Sequence, residues 1–152
     1  MTQTPDRIEK QVILNSPPVR VWEAISDAKE FGRWFGVDYS DGKFVEGEDV
    51  TGQITNPEYS HVTMTVTVER IVPGMLLSFR WRPYAIDPNK DYSDEPKTLV
   101  EFTIEPHGDG TLLRVSESGF DSIPAYRRDE AFRMNDGGWA SQMEQIRKYV
   151  DG

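Results

Sequence analysis

The stretch PAYRRDEAFRMNDGGWASQMEQIRKYV, Pro124 to Val150, decides the fold. Phe132, Trp139, Met143, Ile146 and Val150 recur at spacings of seven, four, three and four. That periodicity predicts one long helix with a single apolar stripe. Asn135 falls on the same stripe, a polar group among large apolar ones. Gly137 and Gly138 interrupt the middle, each costing roughly 1 kcal/mol relative to alanine inside a helix. Such a pair predicts a bend, or a close approach by another backbone. The plain reading is a core helix with a tolerated kink. The sharper one is a helix lying over a curved sheet with a pocket between them.

The residues before this helix alternate as strands do. Thr111 to Gly119 places Leu113, Val115 and Glu117 on one side. Lys97 to Pro106 sets Val100, Phe102 and Ile104 against Glu101, Thr103 and Glu105, and His107-Gly108-Asp109-Gly110 between the two predicts a hairpin. Leu76 to Arg82 opposes Leu77, Phe79 and Trp81 to Ser78, Arg80 and Arg82. It is reached through a Pro73-Gly74 turn from the strand His61 to Val72, in which Val62, Met64, Val66 and Val68 share a face. Lys43 to Val50 and Thr51 to Asn56 read as two shorter strands, and Asp87 to Pro96 as a polar, acidic loop. At the front, Arg7 to Leu14 is a strand. Ser16 with Pro17 predicts the start of a short helix with Val21, Trp22 and Ile25 on its buried face. Asp27-x-x-Glu30 predicts a capping box opening a second short helix through Phe31, Trp34 and Phe35.

One-sided strands joined by short turns imply an antiparallel sheet, and helices gathered on one face imply an α+β chain. No repeat, low-complexity stretch or linker divides it, so one domain over residues 1–152 is expected.

Composition narrows the function. The 152 residues carry 26 acidic and 17 basic side chains, a net charge of −9. Such a surface disfavours nucleic acid and anionic membranes. No apolar run is long enough to insert in a bilayer, and the opening Met1-Thr2-Gln3-Thr4-Pro5 lacks the pattern of a secretory signal. Cysteine is absent, which excludes disulfides and thiol chemistry and is compatible with the cytoplasm. His61 and His107 have no partner at ligand spacing, so no metal site and no Ser-His-Asp triad is indicated. No phosphate-binding glycine loop or Gly-x-Ser-x-Gly elbow occurs, and no cofactor is implied.

The segments Ser16-Pro17-Pro18-Val19-Arg20-Val21-Trp22-Glu23-Ala24-Ile25, Phe31-Gly32-Arg33-Trp34-Phe35, Val68 to Val72 followed by Pro73 to Trp81, Gly110-Thr111 to Phe120, and Gly137-Gly138-Trp139 carry a resemblance. In this order they resemble the SRPBCC or START-like superfamily, within it the branch named after the homologue of the heat-shock-protein-90 ATPase activator. The resemblance implies a helix-grip fold: a curved antiparallel sheet of about six to seven strands wrapped around the long C-terminal helix, with two short helices after the first strand. It implies an apolar cavity between sheet and helix. Members bind lipids, polyketides, hormones or other hydrophobic molecules; some are cyclases, and others act on chaperones or stress responses.

Three functions stand in order. The first is a binding module for a small hydrophobic molecule, with Phe79, Trp81, Val115, Phe132 and Trp139 as walls and Glu117 and Asn135 as polar anchors. For each aromatic singly, plain core packing is the duller alternative. The second is a cyclase- or hydratase-like enzyme with Glu117 as general acid or base. A carboxylate on that face needs an arginine or hydrogen-bond donors, unless the strand end turns it to water. The third is a chaperone-associated protein, with a chaperone or a second copy of the chain as partner. Arg127-Arg128-Asp129-Glu130 reads as an exposed helix face. Arg80 and Arg82 read as an outer face paired with Glu101 or Glu105. Trp34 and Phe35 form either a lid beside the cavity or a pin holding the second helix to the sheet.

Overall fold

The computed structural model describes residues 5–39, 42–87 and 89–152. Seven strands form one antiparallel sheet: β1 (Arg7–Leu14), β2 (Val37–Asp38), β3 (Asp49–Ile54), β4 (Thr63–Val72), β5 (Leu76–Trp81), β6 (Thr98–His107) and β7 (Gly110–Ser118). Their order is β1-β7-β6-β5-β4-β3-β2. From β2 to β7 each strand pairs with the next in sequence, and β1 then closes onto β7. The helices α1 (Pro18–Ser26) and α2 (Ala28–Phe35) therefore carry the chain from one edge of the sheet to the other. The long helix α3 (Ala125–Asp151) lies on the same face. This is the helix-grip arrangement, with α3 held against the sheet.

The alternation predicted from sequence sets which face is dry. Leu77, Phe79, Trp81, Val100, Phe102, Leu113 and Val115 are buried beneath the helices, while Arg80, Glu101, Thr103 and Arg114 lie on the other face, exposed or half-buried. Arg80 pairs there with Glu69 across β4 and β5 rather than with Glu101 or Glu105. Arg82 donates to the backbone carbonyls of Ser93 and Glu95, so it fastens the following loop. The β6–β7 hairpin turns on two residues, with Gly108 at φ +58, a value that glycine adopts without a Cβ penalty.

Several local features differ from expectation. Ser16 is not the cap of α1: Pro17 stands at that position with no side-chain cap bond. Ser16 instead donates through Oγ to the Val150 carbonyl and to Asp151, and Asp151 also accepts from the backbone N–H groups of Asn15 and Ser16. The serine thus ties the entry of α1 to the end of α3. Asp27 does cap α2, accepting from the N–H groups of Lys29 and Glu30. The reciprocal half of the box is absent because the Glu30 carboxylate binds Arg20 and Tyr149.

Lys43 to Val50 is not a strand. Among its described residues pairing begins only at Asp49, after a turn in which Gly47 takes φ +83. The two-residue strand β2 was too short to show in the sequence pattern. Gly32 of α2 packs so closely on it that a Cβ would fall 2.1 Å from the Val37 carbonyl oxygen.

The glycine pair of α3 permits no close approach. α3 is continuous through Gly137 and Gly138, and a Cβ at either would meet nothing within 4 Å. Nor are Arg127 and Arg128 exposed: they are 7% and 5% accessible. Arg127 pairs with Glu95 and donates to the Pro83 carbonyl. Arg128 pairs with Asp121 and Asp129 and donates to the Pro5 carbonyl. Their charged ends fasten flanking loops to the start of α3, which a charge-run reading cannot foresee.

Candidate functional site

The centre of the sheet's dry face holds one carboxylate. Glu117 is 0% accessible. β5, β6 and β7 place its partners by register. Trp81 sits directly opposite Thr98, and Glu117 opposite Val100, so Thr98 is the diagonal neighbour of Glu117 on the same face. Above them α3 supplies Asn135 and Trp139, four residues apart and therefore on one side of the helix.

These four residues converge on Glu117. The Trp81 indole N–H donates to Oε2 at 2.7 Å and the Trp139 indole N–H to Oε1 at 2.9 Å. The Thr98 hydroxyl donates to Oε2 at 2.5 Å. Asn135 Nδ2 lies 2.9 Å from Oε1 and 3.2 Å from Oε2. An indole nitrogen can only donate, so each oxygen must accept at least once. A fully buried carboxylate is tolerable only when its oxygens are met in this way. Here four neutral donors do what an arginine would do elsewhere.

The same donors build an aromatic wall. The Trp81 and Trp139 rings stack with centroids 5.6 Å apart and planes 23° apart, and Phe35 packs on both, at 5.8 Å and 5.7 Å. Contacts of this kind contribute about 0.5–1.5 kcal/mol beyond area burial. Beside this wall a cavity of about 560 Å³ opens between α2, the β2–β3–β4 side of the sheet, and α3. Trp34, Phe35, Val37, Ile54, Met64, Trp81 and Trp139 supply its apolar lining; Asn135, Gln142 and Arg33 are among its polar groups. Gly138 lines it too, and its missing side chain leaves that part of the wall open. A second hollow of about 360 Å³, under the loop that follows β5, shares Ile54, Met64, Trp81 and Asn135 with the first.

The residues singled out from sequence divide into two groups. Trp81, Asn135 and Trp139 line the cavity. Phe79, Val115 and Phe132 are buried within the core that backs it, at 0%, 1% and 8% accessibility. Glu117 stands behind the tryptophan pair, holding it from the protein side. Trp34 lines the cavity and is also pinned, its indole N–H donating to the Ala24 carbonyl. His61 and His107 are both exposed, and the described residues contain no group of three metal-capable side chains.

Among the members missed are Thr98 and Gln142, and with them the apolar liners Val37, Ile54 and Met64. Thr98 begins its strand, where alternation is weakest, and only its register with Trp81 places it beside Glu117. Gln142 lies seven residues after Asn135, so the spacing that found Trp139 would also have found it. Its Nε2 donates to the Phe35 carbonyl at 2.9 Å, while Oε1 is shielded from water with no hydrogen-bond partner.

Comparison with known proteins agrees with this fold. The profile of the family described as "Activator of Hsp90 ATPase homolog 1-like protein" matches residues 15–151. No curated protein matches the chain. Among solved structures, one from the dynemicin biosynthetic locus is similar with a TM-score of 0.73 at 19% identity, over 97% of this chain. This chain spans only 48% of that protein. A Mesorhizobium loti protein gives a TM-score of 0.73 at 21% identity, over 95% of this chain and 96% of its own. The Aha1 dimer from Colwellia psychrerythraea gives 0.69 at 14% identity, over 95% of each. At such identities the likeness speaks for the fold alone.

Proposed function

The chain belongs to the activator of Hsp90 ATPase homolog 1-like family, and from that premise we propose that it binds a small hydrophobic molecule between its sheet and α3. The observation that carries this reading is the hollow walled by Trp81, Trp139 and Phe35, of about 560 Å³. Small-molecule sites span roughly 300–1,000 Å³ and combine apolar walls with a few oriented polar groups. Phe79 packs against Trp81 from behind, Val115 and Phe132 belong to the surrounding core, and Glu117 with Asn135 fixes the wall's orientation.

The buried carboxylate fits an anchoring role better than acid or base work on a ligand. Both of its oxygens are occupied by protein donors, and the tryptophan pair separates it from the cavity. No helix among the described residues is long and apolar enough to cross a membrane. Mass spectrometry of the protein purified under non-denaturing conditions tests the reading. A small apolar molecule should be carried through, and Trp139→Ala should lose it. Retention of the same molecule in a folded Trp139→Ala variant would remove the site.

A further inference from the structure

The cavity of about 560 Å³ has two chemically different parts. Its inner wall is apolar and buried, and the indole donors there are engaged by Glu117. Its mouth is polar: Arg33, Thr55, Asn56, Ser141 and Gln145 line the cavity and are exposed, with Tyr59 half-buried beside them. Charge in this lining is one-sided. The chain carries 26 acidic side chains against 17 basic ones, yet among the described residues no acidic side chain lines this cavity or the hollow next to it. One cation lines each, Arg33 here and Arg82 there. Arg82 is engaged by backbone carbonyls. Arg33 forms no ion pair or hydrogen bond with the described residues, whereas seven other arginines pair with carboxylates. Nearby acids are turned elsewhere. Glu30 on α2 is held by Arg20 and Tyr149, and Glu144 on α3 by Arg147. Asp38 alternates with the cavity-lining Val37 and so faces the other side of the sheet. Asn56 adds a donor, because its Oδ1 accepts the Glu58 N–H and leaves Nδ2 free.

Resting on the ligand-binding reading above, we infer that the ligand is an amphiphile with an apolar ring body and an anionic end, and that Arg33 at the mouth selects that end. A body seated on the tryptophan wall leaves its polar end at the mouth, where water and polar side chains can satisfy it. A carboxylate there meets an unpaired guanidinium and neutral donors, with no like charge among the lining side chains. An ammonium there meets the charge of Arg33 and no carboxylate, so the mouth works against it. Because the mouth is open to water, the gain is that of an exposed pair rather than a buried one.

Calorimetric titration with matched probes tests the inference: a naphthalene ring carrying a carboxylate, its primary amide or an ammonium, each on tethers of two to five methylenes. At the tether that binds best, the carboxylate should bind about three- to fivefold more tightly than the amide, and the gap should shrink in high salt. The ammonium compound should bind most weakly, although a net charge of −9 attracts it to the protein. In Arg33→Gln the gap between carboxylate and amide should close, and in Arg33→Lys part of it should remain. Arg33 is exposed and unpaired, so both variants should keep the wild-type fold. Equal binding of carboxylate and amide to the wild-type protein at every tether overturns the anion preference and leaves the cavity reading standing. So does tightest binding of the ammonium compound, or a preference undiminished in Arg33→Gln. If none of the probes binds, the anion preference and the ligand-binding reading fall together.

Discussion

Trp81 and Trp139 stack on each other across the gap between β5 and α3 while each donates its indole N–H to a different oxygen of Glu117. Ring stacking alone would leave the pair free to slide. The shared carboxylate sets the angle of both rings, and with them the wall of the cavity. The stability and the shape of the site therefore rest on the same five-residue cluster, Glu117 with Trp81, Thr98, Asn135 and Trp139.

Replacing Glu117 by glutamine keeps the volume and removes that symmetry. The amide has one acceptor oxygen, and its NH2 must face an indole N–H, so at least one buried donor loses its partner. Glu117→Gln should lower unfolding stability by about 2–3 kcal/mol. Urea denaturation followed by tryptophan fluorescence reads this directly. An unchanged midpoint would mean that the indoles are held by packing alone.

The two ends of α3 should make stability fall in acid. Burial pushes the Glu95 carboxyl up, but hydrogen bonds from Tyr126 and Arg127 and the charges of Arg127 and Lys90 outweigh it, and the net direction is down. Asp151 behaves alike: burial raises it, and the N–H groups of Asn15 and Ser16, the Ser16 hydroxyl and Arg147 bring it down. A carboxyl lowered in the folded state leaves the unfolded chain binding more protons. Its contribution is complete above about pH 5 and drains away as pH falls below about 4. Glu95→Gln and Asp151→Asn should each cost more stability near pH 7 than in acid, with the difference shrinking as pH falls below about 4. A deficit of the same size at both pH values would contradict the sign.

Ser16→Ala tests the tie between the entry of α1 and the end of α3. It removes the Oγ bonds to Val150 and Asp151 and leaves two backbone bonds to the carboxylate. The expected loss is about 1 kcal/mol. Amide hydrogen exchange should quicken in the last turn of α3 before it does elsewhere. Uniform acceleration across the helix would point to a global effect instead.

Gly137 separates helix propensity from the site. Its Cβ would meet nothing, and it does not line the cavity. Gly137→Ala should raise stability by about 1 kcal/mol and leave ligand binding alone. A fall in stability would show that the glycine serves a conformation which the continuous helix does not display.

Alternation and helical period were enough to read the sheet's dry face and the long helix, because each covers many residues with one period; alternation put Glu117 on that face, with a turn to water at the strand end left open. Trp81, Asn135 and Trp139 were legible for the same reason. The partners of Glu117 were not, since Thr98 reaches it through strand register and nothing local marks that. Short-range signals failed where a distant group competed for them. Ser16 has the chemistry of a helix cap but faces the end of α3. Arg127 and Arg128 read as solvated charges until the loops they hold are folded over them. Gly137 and Gly138 read as a bend or a close approach, yet no other part of the chain comes near them and the helix is continuous there. At Gly138 the consequence is a gap in the cavity wall.

That gap gives the sharpest test. A Cβ at Gly138 would meet nothing within 4 Å, so Gly138→Leu adds bulk at a cavity-lining position, and the change from glycine should not lower helix stability. Calorimetric titration of 2-naphthol into wild-type protein should give saturable binding of one molecule per chain. In a Gly138→Leu variant of undiminished stability, the affinity should fall tenfold or more. Equal affinity in the two proteins, or no saturable binding to the wild type, would contradict a ligand seated between the sheet and α3.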